Sequence, residues 1–159
     1  MKISMCMLNV LSAAFFGMTL VPYAIADAEI SGLASVQEDS SIKISGYVIH
    51  LYGIYIPPTD HTCYLFIRPS PCGTRSSLAL DFKISGDFVH CTPRATNSDG
   101  SIVASCRYEN EDLSEWMLQR GWAVAAPGAP FEYVTMEKIA QSRGIGIWGI
   151  PVEVIPPRK

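Results

Sequence analysis

Residues 41–58 read Ser-Ile-Lys-Ile-Ser-Gly-Tyr-Val-Ile-His-Leu-Tyr-Gly-Ile-Tyr-Ile-Pro-Pro. Apolar residues alternate through 42–44 and again from 47 onward, the period of a half-buried strand, and Ser45-Gly46 between the two runs is a tight-turn signal. A hairpin about that turn pairs Ile44 with Tyr47, Ile42 with Ile49 and Ser41 with His50. Ile42, Ile44, Tyr47, Ile49 and Leu51 then share one face, while Ser41, Lys43, Val48 and His50 share the other. The second strand is expected to run from 47 to 54, and a further strand over 31–36 precedes the hairpin. From Pro57 to Pro71 the chain reads as a proline-broken loop, since proline cannot donate to a ladder.

A second turn signal, Asn97-Ser98-Asp99-Gly100, separates strand-like runs at 88–91 and 102–108. Centring a hairpin between Ser98 and Asp99 places Cys91 opposite Cys106. Directly opposed residues in an antiparallel pair have Cα atoms about 4.5–5.5 Å apart, within disulfide range. Cys63 and Cys72 are left to close the proline loop, and Cys6 stands apart near the N-terminus. A short helix is expected over 78–82. Two clearer ones follow: Leu113, Trp116, Met117 and Arg120 recur at three- and four-residue spacing before Gly121, and residues 132–143 form a second run stopped by Gly144 and Gly146. Trp116 and Met117 are expected in the core. Strands first and helices later, without βαβ alternation, suit a small Greek-key barrel with helices packed outside.

The 159 residues are 48% hydrophobic, with 12 basic and 15 acidic side chains. That suits one domain and excludes a disordered or collagen-like chain. Lys2, an apolar run over 10–20 and the small-x-small sequence Ala24-Ile25-Ala26 read as a secretory signal peptide over 1–26. The apolar run is about half the roughly 20 residues a spanning helix needs, so no stable membrane anchor is expected. Cleavage after Ala26, or after Ala28, leaves a domain over 27–149 and a proline-rich tail over 150–159 that cannot be regular helix. The expected location is the periplasm or the medium, where the even set Cys63, Cys72, Cys91 and Cys106 is oxidised. Removing Lys2 leaves 11 bases against 15 acids, and the Lys and Arg from Lys43 to Arg143 are scattered singly, which gives no strong electrostatic footprint for nucleic acid.

The segment His50-Leu51-Tyr52-Gly53-Ile54-Tyr55-Ile56-Pro57-Pro58 resembles the R-L-x-G-I-D-A-P-E segment of the staphylococcal-nuclease-like (thermonuclease) family. Cys72-Gly73, Asn97-Ser98-Asp99-Gly100-Ser101 (where that family has D-x-Y-G-R), Asp112-Leu113, Gly121-Trp122-Ala123 and Gly144-Ile145-Gly146-Ile147-Trp148 follow in the family's order. The resemblance spans about residues 30–149, and paired cysteines are a feature of its exported bacterial members. It implies an α+β fold, a five-stranded OB-type β-barrel with three packed helices.

The resemblance also implies where chemistry would reside, and those positions are vacant. The two phosphate-holding arginines correspond to His50 and Ser101, and the general-base glutamate to Pro58. The calcium-binding acids correspond to Ser40, within Glu38-Asp39-Ser40-Ser41, and to Tyr55, with Ile56 beside it. Calcium takes six to eight oxygens, carboxylates among them, which Ser40, Tyr55 and Ile56 do not supply. Proline offers no side-chain proton acceptor, and neutral serine cannot imitate a bidentate guanidinium. Glu38, Asp39 and Asp60 are the acids near this segment, and His50 is a phosphate ligand or proton carrier only when protonated. His61 and His90 read as packing or solubility residues.

The sequence therefore points to a secreted, monomeric, noncatalytic OB-fold module, a pseudoenzyme with no cofactor. Its ligand surface is expected around Tyr52, Tyr55 and Tyr64, open to peptide, polysaccharide or oligonucleotide. The alternative is a calcium-dependent phosphodiesterase acting on DNA or RNA through a rearranged site.

Overall fold

The structure, a computed structural model, describes residues 28–58, 60–65 and 68–149. The segments expected to be a signal peptide (1–26) and a proline-rich tail (150–159) lie outside the described residues. In chain order the strands are β1 (Ile30–Val36), β2 (Ile42–Ile44), β3 (Tyr47–Leu51), β4 (Ile54–Tyr55), β5 (Cys63–Leu65) and β6 (Arg68–Ser70). Helix α1 (Cys72–Ile84) is followed by β7 (Phe88–Thr96), β8 (Ile102–Tyr108), β9 (Glu111–Asp112), α2 (Leu113–Gln119), β10 (Val124–Ala125), α3 (Phe131–Arg143) and a 3₁₀ turn at Gly146–Trp148.

Five strands close into a barrel in the order β3-β2-β1-β7-β8, with β9 appended to β8. All its neighbours are antiparallel except the closing pair: β3 runs parallel to β8, with Ile49 beside Ile102, His50 beside Val103 and Leu51 beside Ala104. This closed five-stranded barrel with three helices fits the α+β, OB-type architecture. Among the described residues no helix is long and apolar enough to cross a membrane.

The β2–β3 register pairs Ile42 with Ile49 and Ile44 with Tyr47. Ile42, Ile44, Ile49 and Leu51 are buried in the barrel with Val89, Cys91, Ala104 and Cys106. Burying each isoleucine or leucine is worth about 1.5–3 kcal/mol, which is why the alternating pattern sets the register. Tyr47 departs from that pattern. Although it has the inward parity, it sits beside the turn and is 52% exposed.

The β7–β8 register puts Cys91 opposite Cys106, and the two form a disulfide; a bulge between Pro93 and Ala95 then shifts the pairing by one residue before the turn. Cys63 pairs with Cys72. β7 extends to Thr96, five residues beyond Cys91.

Other expectations need correction. The strand expected from 47 to 54 breaks at Tyr52–Gly53, where Gly53 has φ 73° and its Cα lies against the Tyr133 ring. β4 beyond the break pairs with β10 instead. The stretch from Pro57 to Pro71 contains the β5–β6 hairpin, with Tyr64 opposite Pro69. Proline is tolerated there because this two-stranded ribbon consists of edges. Helix α1 is thirteen residues long, reaching well upstream of 78–82. Its first half buries Cys72, Gly73, Ser76 and Ser77, small or polar residues that carry no apolar stripe. In α2, Met117 is buried, whereas Trp116 is half-buried with Lys83 Nζ 5.6 Å and the Arg120 guanidinium 5.8 Å from its ring.

Candidate functional site

Two turns flank the closing strand pair, and they are built alike. Gln37 N donates to Ser41 O at 2.8 Å and Ser40 N to Gln37 O at 3.0 Å; Asn97 N donates to Ser101 O at 2.8 Å and Gly100 N to Asn97 O at 3.0 Å. In each turn the third residue is aspartate and the fifth is serine. Asp39 Oδ1 accepts from the amide (2.9 Å) and hydroxyl (2.6 Å) of Ser41, and Asp99 Oδ1 accepts from the amide (2.9 Å) and hydroxyl (2.7 Å) of Ser101. These are local side-chain-to-backbone bonds of the Asx type, which hold a carboxylate in a fixed orientation.

The fourth residue of each turn is left-handed: Gly100 has φ 85° and Ser40 has φ 65°. Glycine adopts that conformation freely, whereas a side chain there costs about 1–2 kcal/mol. Ser40 has compensation. Its buried hydroxyl donates to Pro57 O at 3.1 Å and shares a short hydrogen bond with Ser77 Oγ on α1.

Asp39, Ser40, His50, Leu51, Ile54, Tyr55, Ile56 and Pro58 line one cavity of about 230 Å³. His50 reaches it because it lies on the face of β3 opposite Ile49 and Leu51, which point into the barrel. Asp39 and Asp99 both have their carboxyl groups held low chiefly by local hydrogen bonds, with a minor electrostatic contribution from the direction of His50. Burial pushes the Asp39 carboxyl up, but the Ser41 hydroxyl and amide, with His50 added, outweigh it and hold the group below the ordinary aspartate value. For Asp99 the Ser101 hydroxyl is the main cause, followed by its amide, and the result is again a lowered value. Both carboxylates are thus kept ionised beside the one imidazole in the cavity.

Helix α1 forms the back of this site. The Gly73 Cα lies so close to the Pro58 carbonyl that no side chain fits between them, and Gly73 N donates to His61 O at 3.2 Å while His61 N donates to Pro58 O at 2.8 Å.

The structure therefore brings together five of the six sequence positions singled out for chemistry: Ser40, His50, Tyr55, Ile56 and Pro58. Ser101 is separate. It is buried beneath the second turn, held by Asp99 and by Asn97 Nδ2 at 2.9 Å. Of the three tyrosines, Tyr55 lines the cavity and is 49% exposed. Tyr52 does not line it; the Arg94 guanidinium sits 5.8 Å from its ring. Tyr64 lies in β5 with its side chain outside the described residues. Asp60 and His90 also lie away from the cavity, and His90 Nδ1 is 3.2 Å from a Glu29 oxygen and 3.0 Å from Ser31 Oγ. Asp99 escaped the sequence reading, and its signal was the repetition of Asp-x-Ser at 39–41 and 99–101.

The lining does not suit calcium. Asp39 is the one carboxylate in it, its Oδ1 is already committed to Ser41, and Ser40 Oγ is turned to Pro57 and Ser77. A hard cation requiring six or more oxygens finds no such set there. What remains is an imidazole, a carboxylate, a half-exposed phenol and an apolar floor of Leu51, Ile54 and Ile56, which can hydrogen-bond and stack on a polar ligand. The chain matches no protein-family model and no curated protein.

Proposed function

We propose that this chain is an exported, noncatalytic relative of the staphylococcal-nuclease-like proteins, and that its cleft binds a ligand without cleaving a phosphodiester. One observation carries the reading: the cavity collects Ser40, His50, Tyr55, Ile56 and Pro58, the positions where the resemblance places metal ligands, a phosphate clamp and a general base. None of the five offers a carboxylate or a guanidinium. A positioned general base is worth about 10²–10⁴ in rate, and Pro58 supplies none.

Charge narrows the ligand class. Asp39 lies in the cleft and Asp99 close to His50, so the potential there disfavours a polyanion, and a phosphodiester backbone would meet a single imidazole rather than paired arginines. Half-exposed Tyr55 over an aliphatic floor suits a sugar ring or a peptide side chain. The ligand class we favour is therefore polysaccharide or peptide, bound by a monomer. Two disulfides fit an oxidising compartment outside the cytosol, in keeping with the leader-like N-terminal sequence.

The test is direct. The mature protein, mixed with single-stranded DNA or with RNA in calcium, should leave the polymer intact over hours, and calcium should not move its melting temperature. A native-state calcium site would add about 2.7 kcal/mol at a hundredfold excess over its dissociation constant, an easily measured shift. Calcium-dependent cleavage abolished by His50→Ala would replace this reading with a rearranged phosphodiesterase.

A further inference from the structure

We propose that His61, Cys63 and Cys72 make a thiolate–imidazole metal site, suited to Zn²⁺, that becomes available when the Cys63–Cys72 disulfide is reduced. Among the described residues this is the one cluster of three potential ligands, with the donor atoms all within 4.8 Å of one another. In a tetrahedral zinc site, with Zn–S about 2.3 Å and Zn–N about 2.0 Å, neighbouring donors are roughly 3.5–3.8 Å apart. The imidazole thus has about an ångström to close, and the two sulfurs need only separate from bonded to contact distance.

The frame that would hold the ligands is already built. His61 closes a turn through its bond to Pro58 O, and Cys63, two residues on, opens β5. Cys72 is fixed as the first residue of α1. The carbonyl of His61 accepts from Gly73 N at 3.2 Å and lies 3.7 Å from Cys72 Sγ, and His61 N is tied to Pro58 O at 2.8 Å. Three ligands on an anchored backbone lose little conformational freedom when a metal binds. A water supplies the fourth position, as in open zinc sites.

The bridge in this cluster is also the more accessible of the two. Cys63 is half-buried, whereas Cys91 and Cys106 are completely enclosed in the barrel. A dithiol reductant reaches it by ordinary exchange. One reductant thiolate attacks Cys63 Sγ, the S–S bond breaks and Cys72 leaves as thiolate. The second reductant thiol then displaces Cys63 from the mixed disulfide. The reductant ends as its own disulfide and the protein as two thiols, whose protons are released when the metal takes the sulfurs. While the bridge is intact its sulfurs carry no charge, so the soft donors exist only in the reduced state. Because His61 N and Gly73 both contact Pro58, the site adjoins the back of the cleft, although it does not depend on what the cleft binds.

The test uses the mature chain reduced anaerobically by a water-soluble phosphine, then desalted and titrated with Co²⁺. Loss of the Cys63–Cys72 bridge with retention of Cys91–Cys106 is checked by peptide mapping. One Co²⁺ per chain should bind, with a sulfur-to-cobalt charge-transfer band and tetrahedral d–d bands, and Zn²⁺ should displace it. The oxidised protein should show neither. His61→Ala should weaken Co²⁺ binding roughly tenfold or more, since even outer-shell changes at metal sites cost that much. The double variant Cys63→Ser, Cys72→Ser should abolish the band, its melting curve confirming that the barrel is folded. No band in the reduced protein, the same band in the double variant, or unchanged affinity in His61→Ala would each overturn the proposal.

Discussion

Replacing Gly73 with alanine sets helix propensity against packing, and the structure decides the sign. By propensity alone the substitution should help, because glycine within a helix costs about 0.5–1 kcal/mol relative to alanine. A Cβ at position 73, however, would overlap the Pro58 carbonyl and come within 3.2 Å of His61 N. The obstacle is backbone, so no side chain can rotate away; either α1 or the 58–61 segment has to move. Overpacking of this kind costs about 1–3 kcal/mol. The Gly73 N to His61 O hydrogen bond, worth about 0.5–1.5 kcal/mol, is lost with the movement. The net expectation is destabilisation of about 1–3 kcal/mol, which for a domain of this size lowers the melting temperature by roughly 4–12 °C. Thermal and urea unfolding followed by circular dichroism measures it. A melting temperature that rises, or stays where it was, would show that α1 does not rest on the back of the cleft, and the account of how that wall is held would fail.

Other outcomes follow from the same geometry. Joint replacement of Cys91 and Cys106 by alanine opens a loop of sequence separation 15, which in the chain-entropy model costs about 3 kcal/mol, read as a shift in urea midpoint. At Ser40, alanine should destabilise more than glycine. Both lose the bonds to Pro57 and Ser77, but glycine also relieves the left-handed backbone at φ 65° by about 1 kcal/mol or more; equal losses would mean that the backbone there is unstrained. The Tyr133 hydroxyl is pushed up to about 12, first by burial and then by the Asp112 charge, with Glu115 contributing. A raised value in the folded state stabilises the protein below the ordinary tyrosine value of 10.0 and is lost as pH climbs through about 12. The ultraviolet titration of wild type should therefore contain a component at about 12 that Tyr133→Phe removes, while Tyr108, also raised by burial and by Glu109 and Asp87, stays.

How far the sequence could be read depended on where the apolar side chains went. The β2–β3 register follows from Ile42, Ile44, Ile49 and Leu51, because slipping by one residue would turn all four into water. Cys91 opposite Cys106 follows from the turn chemistry of Asn97 to Gly100, although the bulge after Pro93 left no mark in the sequence pattern. The first half of α1 was illegible for the converse reason. Gly73, Ser76 and Ser77 are buried for their small size and hydrogen bonds, and a helix buried through small residues has no 3.6-residue apolar period to detect. The β5–β6 ribbon was hidden by Pro69, which reads as a loop residue unless the strand is known to be an edge. Within the cleft, His50, Tyr55 and Pro58 could be aligned by order along the chain. The matched turns carrying Asp39 and Asp99 could not, since nothing local to either turn says that barrel closure brings both to the same histidine.

Strand geometry explains how the barrel and the chemistry of its cleft can part company. On β3, Ile49 and Leu51 are buried in the barrel, Leu51 also reaching the cavity floor, while His50 between them faces the cavity, and β2 buries Ile42 and Ile44 while Lys43 points out. The period of two puts stability and site on opposite faces of the same strand. Substitution at position 50 therefore costs little folding energy, whereas substitution at 49 or 51 costs about 1 kcal/mol or more for even a conservative truncation. Ser40 obeys the same separation, because its bonds to Pro57 and Ser77 hold the turn and the α1 wall whether or not the cleft binds a metal. A barrel of this kind can thus keep its strands and turns while the side chains that line its cleft vary. For that reason the identity of the cavity-lining side chains, rather than the resemblance of the scaffold, is what a test of binding against cleavage has to address.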